Sequence, residues 1–211
     1  MATTTTSIPR LHVLTVATQR ADDLTTVDAV LAAGAPAIQV RVKDAVDRDH
    51  LAVASAITER CLAAGAICIV NDRPDIALAC EADGVHLGAD DLPVAAVRRL
   101  AGDRLLIGGT ARDPATAQRL EESGADYLGV GPIHPTSTKD GLPDPLGLER
   151  LAAICSAVSI PVIAISGLTA EHVPDVRRAG AAGVAVTGAV MAAADPAGAT
   201  RQLLDRLGEA I

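Results

Sequence analysis

The stretch IQVRVKDAVDRDHLAVASAITERCLAAGAICIVND, residues 38–72, contains one full cycle of the pattern that decides the fold. Ile38 to Val42 alternates, with Val40 and Val42 on one side and Gln39, Arg41 and Lys43 on the other, which predicts a strand. His50 to Ala64 carries Leu51, Ala54, Ile57, Cys61 and Leu62 at helical spacing, and Gly65 ends it. Ala66 to Val70 is apolar throughout, as a strand buried on both faces must be, and it runs into Asn71-Asp72. A strand, a helix and a second strand in immediate succession predict a parallel pair joined by a helical crossover.

The same cycle extends in both directions. Strands are expected at Leu11–Val16, Gly84–Leu87, Leu105–Gly108, Tyr127–Val130, Pro161–Ile165 and Gly183–Val186. Helices are expected at Leu24–Ala33, Pro74–Ala79, Pro93–Leu100, Pro114–Glu122 behind an Asp113 cap, Leu148–Ala157, Glu171–Ala179 behind a Thr169 cap, and Ala197–Leu207. Eight strands in strict alternation with helices predict a single-domain α/β protein, a closed (β/α)8 TIM barrel over residues 10–211, with a loose tail at 1–9. No GxGxxG follows the first strand, which weakens an open dinucleotide-binding sheet.

Composition narrows the function. The chain has no Trp or Phe and one Tyr, so it lacks the aromatic platforms that stack bases. A formal net charge of −8 disfavours nucleic acid and acidic membrane surfaces as partners. Cys61, Cys68, Cys80 and Cys155 form no CxxC pair and are expected as reduced residues of the core. No membrane-length apolar run or signal peptide is present, so the expected compartment is the cytoplasm. Small-molecule substrates fit best, and assembly as a homo-oligomer stays open.

The unusual residues gather at the expected carboxyl ends of the strands, where barrels carry their sites. Of 18 basic side chains only Lys43 and Lys139 are lysines, and Asn71 is the one asparagine. Lysine offers a compact mobile charge that arginine does not imitate. Arg41 and Lys43 at the second strand form a cationic row suited to an anion, although an edge strand with a solvated face would read the same way. Asp72 and Asp91, from neighbouring strand ends, suit Mg2+, which binds one or two carboxylates plus phosphate oxygens and water. They also suit an internal salt-bridge network with Arg41 and Lys43. Ser166-Gly167 and Thr187-Gly188 can bind a phosphate after strands seven and eight, with Ala189–Ala194 as the short helix behind them, or can be ordinary turns. The longest connection, 131–145, holds Thr136, Thr138 and Lys139 and has prolines at 132 and 135, the mark of a shaped binding loop. His134 is a weak candidate base, and His86 reads as a wall residue.

These motifs resemble the thiamine phosphate synthase family. The resemblance rests on QVRVK at 39–43, NDRPDIAL at 71–78, ADGVHLGADD at 82–91, GPIHPTSTK at 131–139 and the glycine loops at 166–167 and 187–188. It implies a transferase that joins 4-amino-5-hydroxymethyl-2-methylpyrimidine diphosphate to 4-methyl-5-(2-phosphoethyl)thiazole, or its carboxylate form. The products are thiamine phosphate and diphosphate. It further implies Mg2+ on Asp72 and Asp91, and diphosphate contacts from Arg41, Lys43 and Asn71, with Gln39 beside the pyrimidine. Thr110 and Lys139 would act near the leaving group. Thr136, Thr138, Gly167, Thr187 and Gly188 would surround the thiazole phosphate. The implied chemistry is dissociative and needs no general base. Three positions depart from the family pattern: Thr110 replaces a serine, Ser166 a glycine, and Thr187-Gly188 a serine-containing pair. A thiazole tautomerase paralogue and a non-catalytic phosphate-ligand-binding barrel are the alternatives.

Overall fold

The computed structural model of the chain describes residues 7–16, 21–135 and 143–208. Eight parallel strands close into one barrel in sequence order: β1 (Leu11–Leu14), β2 (Ala37–Val40), β3 (Ile67–Asn71), β4 (Gly84–Leu87), β5 (Leu106–Ala111), β6 (Tyr127–Val130), β7 (Val162–Ile165) and β8 (Gly183–Val186). The ring closes through β1 and β8, with Leu11 opposite Val184 and Val13 opposite Val186. The expected (β/α)8 barrel is therefore the observed fold.

The helices are α1 (Ala21–Ala32), α2 (Asp47–Ala64), α3 (Pro74–Ala79), α4 (Val94–Ala101), α5 (Pro114–Glu122), α6 (Gly147–Ala157), α7 (Val173–Arg178), α8 (Gly188–Met191) and α9 (Pro196–Leu207). Strand parity sorts the core into two layers. Val13, Ile38, Val40, Cys68, Val70, Val85, Ile107, Leu128, Ala164 and Val184 face the helices in one continuous cluster. Leu14, Ile69, Tyr127, Ile163 and Ala185 fill the barrel's interior. Ile8 packs against that interior cluster, so the expected tail gives way to packed chain before residue 10. Residues 1–6 lie outside the described region.

Local chemistry explains several boundaries. Asp113 caps α5 by accepting from the Thr116 N–H at 2.8 Å, as expected. Thr169 and His172 form a capping box, although the first turn there is a 3-10 helix, Ala170–His172, ahead of α7. Asp83 and Asp126, each one residue before a strand, repeat one device. Asp83 accepts from the Cys68 N–H at 2.8 Å, and Asp126 from the Ile107 N–H at 2.6 Å, so each fastens the preceding strand. Arg98 closes on Asp126 at 2.6 Å and on the Gly124 carbonyl at 2.8 Å, tying α4 to the floor of the barrel. All four cysteines are free thiols; Cys61 and Cys68 are buried, Cys80 and Cys155 half-buried.

Candidate active site

Because the eight strands run parallel around a closed ring, their carboxyl ends share one rim. Gln39 lies in β2, 3 % exposed, and faces the barrel interior. Arg41 and Lys43 lie beyond the end of β2, so the expected cationic row on one strand needs correcting. Thr15 supplies the physical reason. β1 ends at Leu14, and the Thr15 hydroxyl then accepts from the Arg41 N–H at 3.0 Å, a group that a longer ladder would have used. Arg41 is half-buried and Lys43 exposed, and neither makes an ion pair among the described residues.

Asn71 is the last residue of β3 and 9 % exposed, and its Oδ1 has no hydrogen-bond partner. A buried carbonyl oxygen without a partner is costly, so an incoming donor or cation is its natural complement. Asp72 follows with φ +67°, the left-handed region that aspartate tolerates better than most residues. Its N–H donates to the His86 carbonyl at 2.8 Å. Asp91 is half-buried and accepts from the Gly88 N–H at 2.6 Å. Both aspartates are thus anchored to the carboxyl end of β4, two residues apart. Among the described residues no group of three or more His, Cys, Asp or Glu side chains converges. The two aspartates and the unpartnered Asn71 amide oxygen offer oxygen donors only. Such a set suits Mg2+, which fills its other positions with phosphate and water.

Thr110 lies within β5, not after it as expected, because β5 runs on through Gly108 and Gly109 to Ala111. Its hydroxyl contacts His86 Nε2 at 3.0 Å, and His86 Nδ1 contacts the Tyr127 hydroxyl at 3.2 Å. Burial lowers the His86 pKa to about 4, so the ring is neutral at ordinary pH. His12, on the far side of Tyr127 in an edge-on contact at 5.3 Å, is likewise lowered to about 4, first by burial and then by His86. Its Nε2 meets the Pro9 carbonyl at 3.0 Å. His12, Thr15 and the interior role of Tyr127 were not singled out from sequence. The one available signal was that Tyr127 is the sole aromatic in a chain without Phe or Trp.

On the opposite side of the rim, Ser166 and Gly167 both have positive φ, +75° and +71°. A Cβ at Gly167 would come within 2.7 Å of His134 Cβ and of the His134 and Pro135 carbonyl oxygens. Glycine is required there by conformation and by space. The His134 N–H donates to the Ser166 carbonyl at 3.2 Å, so the connection after β6 lies directly on this turn. His134 stacks on His172 at 4.6 Å, and its pKa is lowered, first by burial and then by His172. The base of the long connection is pinned where Leu146 N–H donates to the Pro132 carbonyl at 2.8 Å. Thr187 precedes α8 and Gly188 begins it; the short helix therefore spans Gly188–Met191 instead of 189–194. Thr136, Thr138 and Lys139 lie outside the described residues.

Comparison with known proteins agrees with this fold. A family model described as thiamine monophosphate synthase matches residues 11–190. Thiamine-phosphate synthase of Salinispora arenicola (strain CNS-205) is 49% identical over 204 residues, 95% of this chain and 98% of that protein. Its counterpart in Salinispora tropica is 48% identical over the same shares. Among solved structures, thiamine phosphate pyrophosphorylase from Pyrococcus furiosus superposes with a TM-score of 0.85 at 35% identity, covering 95% of this chain and 96% of that one. A 3-hexulose-6-phosphate synthase from Salmonella typhimurium, with a TM-score of 0.77 at 19% identity, shares the barrel alone. The motifs, the fold and these relatives together mean that the chain belongs to the thiamine monophosphate synthase family, enzymes that transfer a pyrimidinylmethyl group to a thiazole phosphate.

Proposed function

We propose a division of labour around the rim by which this synthase carries out its transfer. Gln39, Arg41, Lys43, Asn71 and Thr110 receive the pyrimidine diphosphate on the β2–β5 side. Gly167, Thr187 and Gly188, with Thr136 and Thr138 from the connection after β6, receive the thiazole phosphate on the β7–β8 side. Lys139 reaches the leaving group between them. The observation that carries this reading is the unpartnered, buried Asn71 Oδ1 at the end of β3, with two cations just beyond the neighbouring β2 that make no ion pair among the described residues. A rim built for its own internal salt bridges would have used them.

In the proposed reaction the methylene C–O bond of the pyrimidine diphosphate breaks, and diphosphate leaves with the electron pair. The thiazole nitrogen then donates its lone pair to the methylene carbon, forming the C–N bond of thiamine phosphate. No proton changes hands, so no general base is required. Bound by Asp72 and Asp91, Mg2+ would supply neutralising charge to the departing diphosphate. Arg41 and Lys43 hold the remaining oxygens, where charge-assisted bonds strengthen as charge moves onto the leaving group. Binding of the thiazole by its phosphate sets the nucleophile against the carbon, which converts a bimolecular encounter into a local one. The carboxyl ends of β2–β5 and of β7–β8 lie on different arcs of one ring, which supports that arrangement.

A thiazole tautomerase has no use for a diphosphate cradle, so Lys43, Asn71, Asp72, Asp91 and Lys139 together favour the synthase. No helix among the described residues is long and apolar enough to cross a membrane. The proposed setting is the cytoplasm, in keeping with four free thiols. Purified chain with both substrates and Mg2+ should release diphosphate and thiamine phosphate in equal amounts, and excess chelator should abolish both. Turnover undiminished by chelator would contradict the metal's part. Absence of thiamine phosphate under all conditions would contradict the reaction.

A further inference from the structure

We infer that His86, with Tyr127 behind it, is a positioning residue that fixes the Thr110 hydroxyl as a hydrogen-bond donor toward the departing diphosphate. The inference rests on the synthase reading of the rim.

The barrel interior is built to hold these two rings. A Cβ at Gly108 would overlap both of them, and one at Gly129 would come within 2.7 Å of His86 Cε1. Glycine weakens a strand, so two interior glycines on adjacent strands need a packing reason, and the rings supply it. His86 on β4 pairs in register with Gly108 on β5, and Thr110 lies two residues nearer the carboxyl end. Thr110 is therefore on the mouth side of His86, and His86 on the floor side of Thr110.

The donors and acceptors then allow one consistent direction. The Tyr127 hydroxyl is buried, so its proton needs an acceptor, and the hydrogen bond that the structure gives it is the one to His86. The Tyr127 O–H therefore donates, and His86 Nδ1 lies 3.2 Å away. A neutral imidazole has one donor and one acceptor. With Nδ1 accepting, Nε2 carries the proton and donates to Thr110 Oγ1 at 3.0 Å. Burial keeps the ring neutral, in accord with that arrangement. Thr110 has no other hydrogen-bond partner among the described residues, so its own proton faces the mouth.

Without this chain the Thr110 hydroxyl would divide its time between donating to His86 and donating to the ligand. The Nε2–H tautomer removes the first orientation. A donor already aimed at the oxygen where charge develops needs no reorganisation during bond breaking. Thr110 touches the substrate in this scheme; His86 and Tyr127 act only through it.

Two measurements test the inference. Long-range 1H–15N spectra of histidine-labelled, substrate-free protein near neutral pH should show His86 protonated at Nε2 and bare at Nδ1. The opposite tautomer would overturn the inference. Tyr127→Phe keeps the ring and removes the hydroxyl. It should abolish the tautomer preference and lower kcat about tenfold with both KM values nearly unchanged, since a donor is misdirected and not removed. A double-mutant cycle adds the second test. Thr110→Val should cost about 100-fold in kcat, and Tyr127→Phe added to it should cost less than about twofold more. Full additivity would show that Tyr127 and His86 do not act through Thr110. Because the spectrum needs neither substrate nor turnover, it decides the tautomer even if the chain proves not to make thiamine phosphate.

Discussion

Two neutral histidines inside the barrel should make the protein sensitive to mild acid. His12 and His86 each fall from 6.5 to about 4, chiefly through burial. In the unfolded chain both rings take up a proton near pH 6.5, whereas in the folded chain they resist until about pH 4. Between those limits the unfolded state binds more protons, so stability is full above about pH 6.5 and declines as pH falls toward 4. At about 1.4 kcal/mol per pH unit, each ring accounts for about 3 kcal/mol over that window. Two rings together approach the whole stability of an ordinary domain, about 5–15 kcal/mol. His50 and His134 are lowered in the same sense and add to the effect. Asp75 is held below 3.8 by the Arg73 guanidinium, and Asp113 by the Thr116 N–H, so their losses come at lower pH and do not mask it. Urea unfolding followed by circular dichroism at fixed ionic strength should show stability falling by about 2–3 kcal/mol per pH unit near pH 5. His12→Gln, which removes one titrating ring, should roughly halve that slope whatever it does to stability at neutral pH. A profile flat to within about 1 kcal/mol from pH 7 to pH 5 would refute the reasoning.

Further outcomes follow from individual contacts. Ser166→Gly should stabilise the fold by about 0.5–1 kcal/mol in urea unfolding, because a left-handed serine is strained, less the chain entropy that glycine adds; a loss of stability would mean the serine side chain is held in the fold. Thr15→Val leaves the Arg41 N–H without its acceptor, so it should cost about 1–2 kcal/mol and raise the KM for the pyrimidine diphosphate, with the KM for the thiazole phosphate unmoved. Lys139→Ala should lower kcat about 100-fold with thiazole phosphate affinity less affected; equal loss of binding with no turnover in either form would favour a phosphate-binding barrel without catalysis.

The alternation of strands and helices was legible because parallel barrel strands are apolar on both faces, while the helices between them show a 3.6-residue period. β4, β6, β8, α3 and α5 have the bounds read from sequence. The ends of β2 and β5 did not, for opposite reasons. Val40-Arg41-Val42 keeps alternating after the ladder has stopped, since alternation registers side chains and not the hydrogen bonds that Thr15 diverts. Gly108-Gly109 reads as the end of a strand by propensity, yet the ladder continues because Gly108 makes room for rings from β4 and β6, and Gly109 for Leu120 and Val94 of the covering helices. Which side of each strand faces the barrel axis is decided only by closure, so the column of His12, Tyr127, His86 and Thr110 could not be read locally. The rim residues were legible for another reason: scarce residue types stood at strand ends, where a barrel leaves its backbone open to ligands.

The central claim is that Asp72 and Asp91 hold a divalent cation against a diphosphate gripped by Arg41, Lys43 and Asn71. A crystal grown with Mn2+ in place of Mg2+ and a pyrimidine diphosphate tests it through anomalous scattering. One strong anomalous peak bridging both carboxylates and the diphosphate, with the Asn71 amide on the same ligand, is the expected result. A peak away from either aspartate, or diphosphate bound on the β7–β8 side with no metal beside it, would contradict the claim.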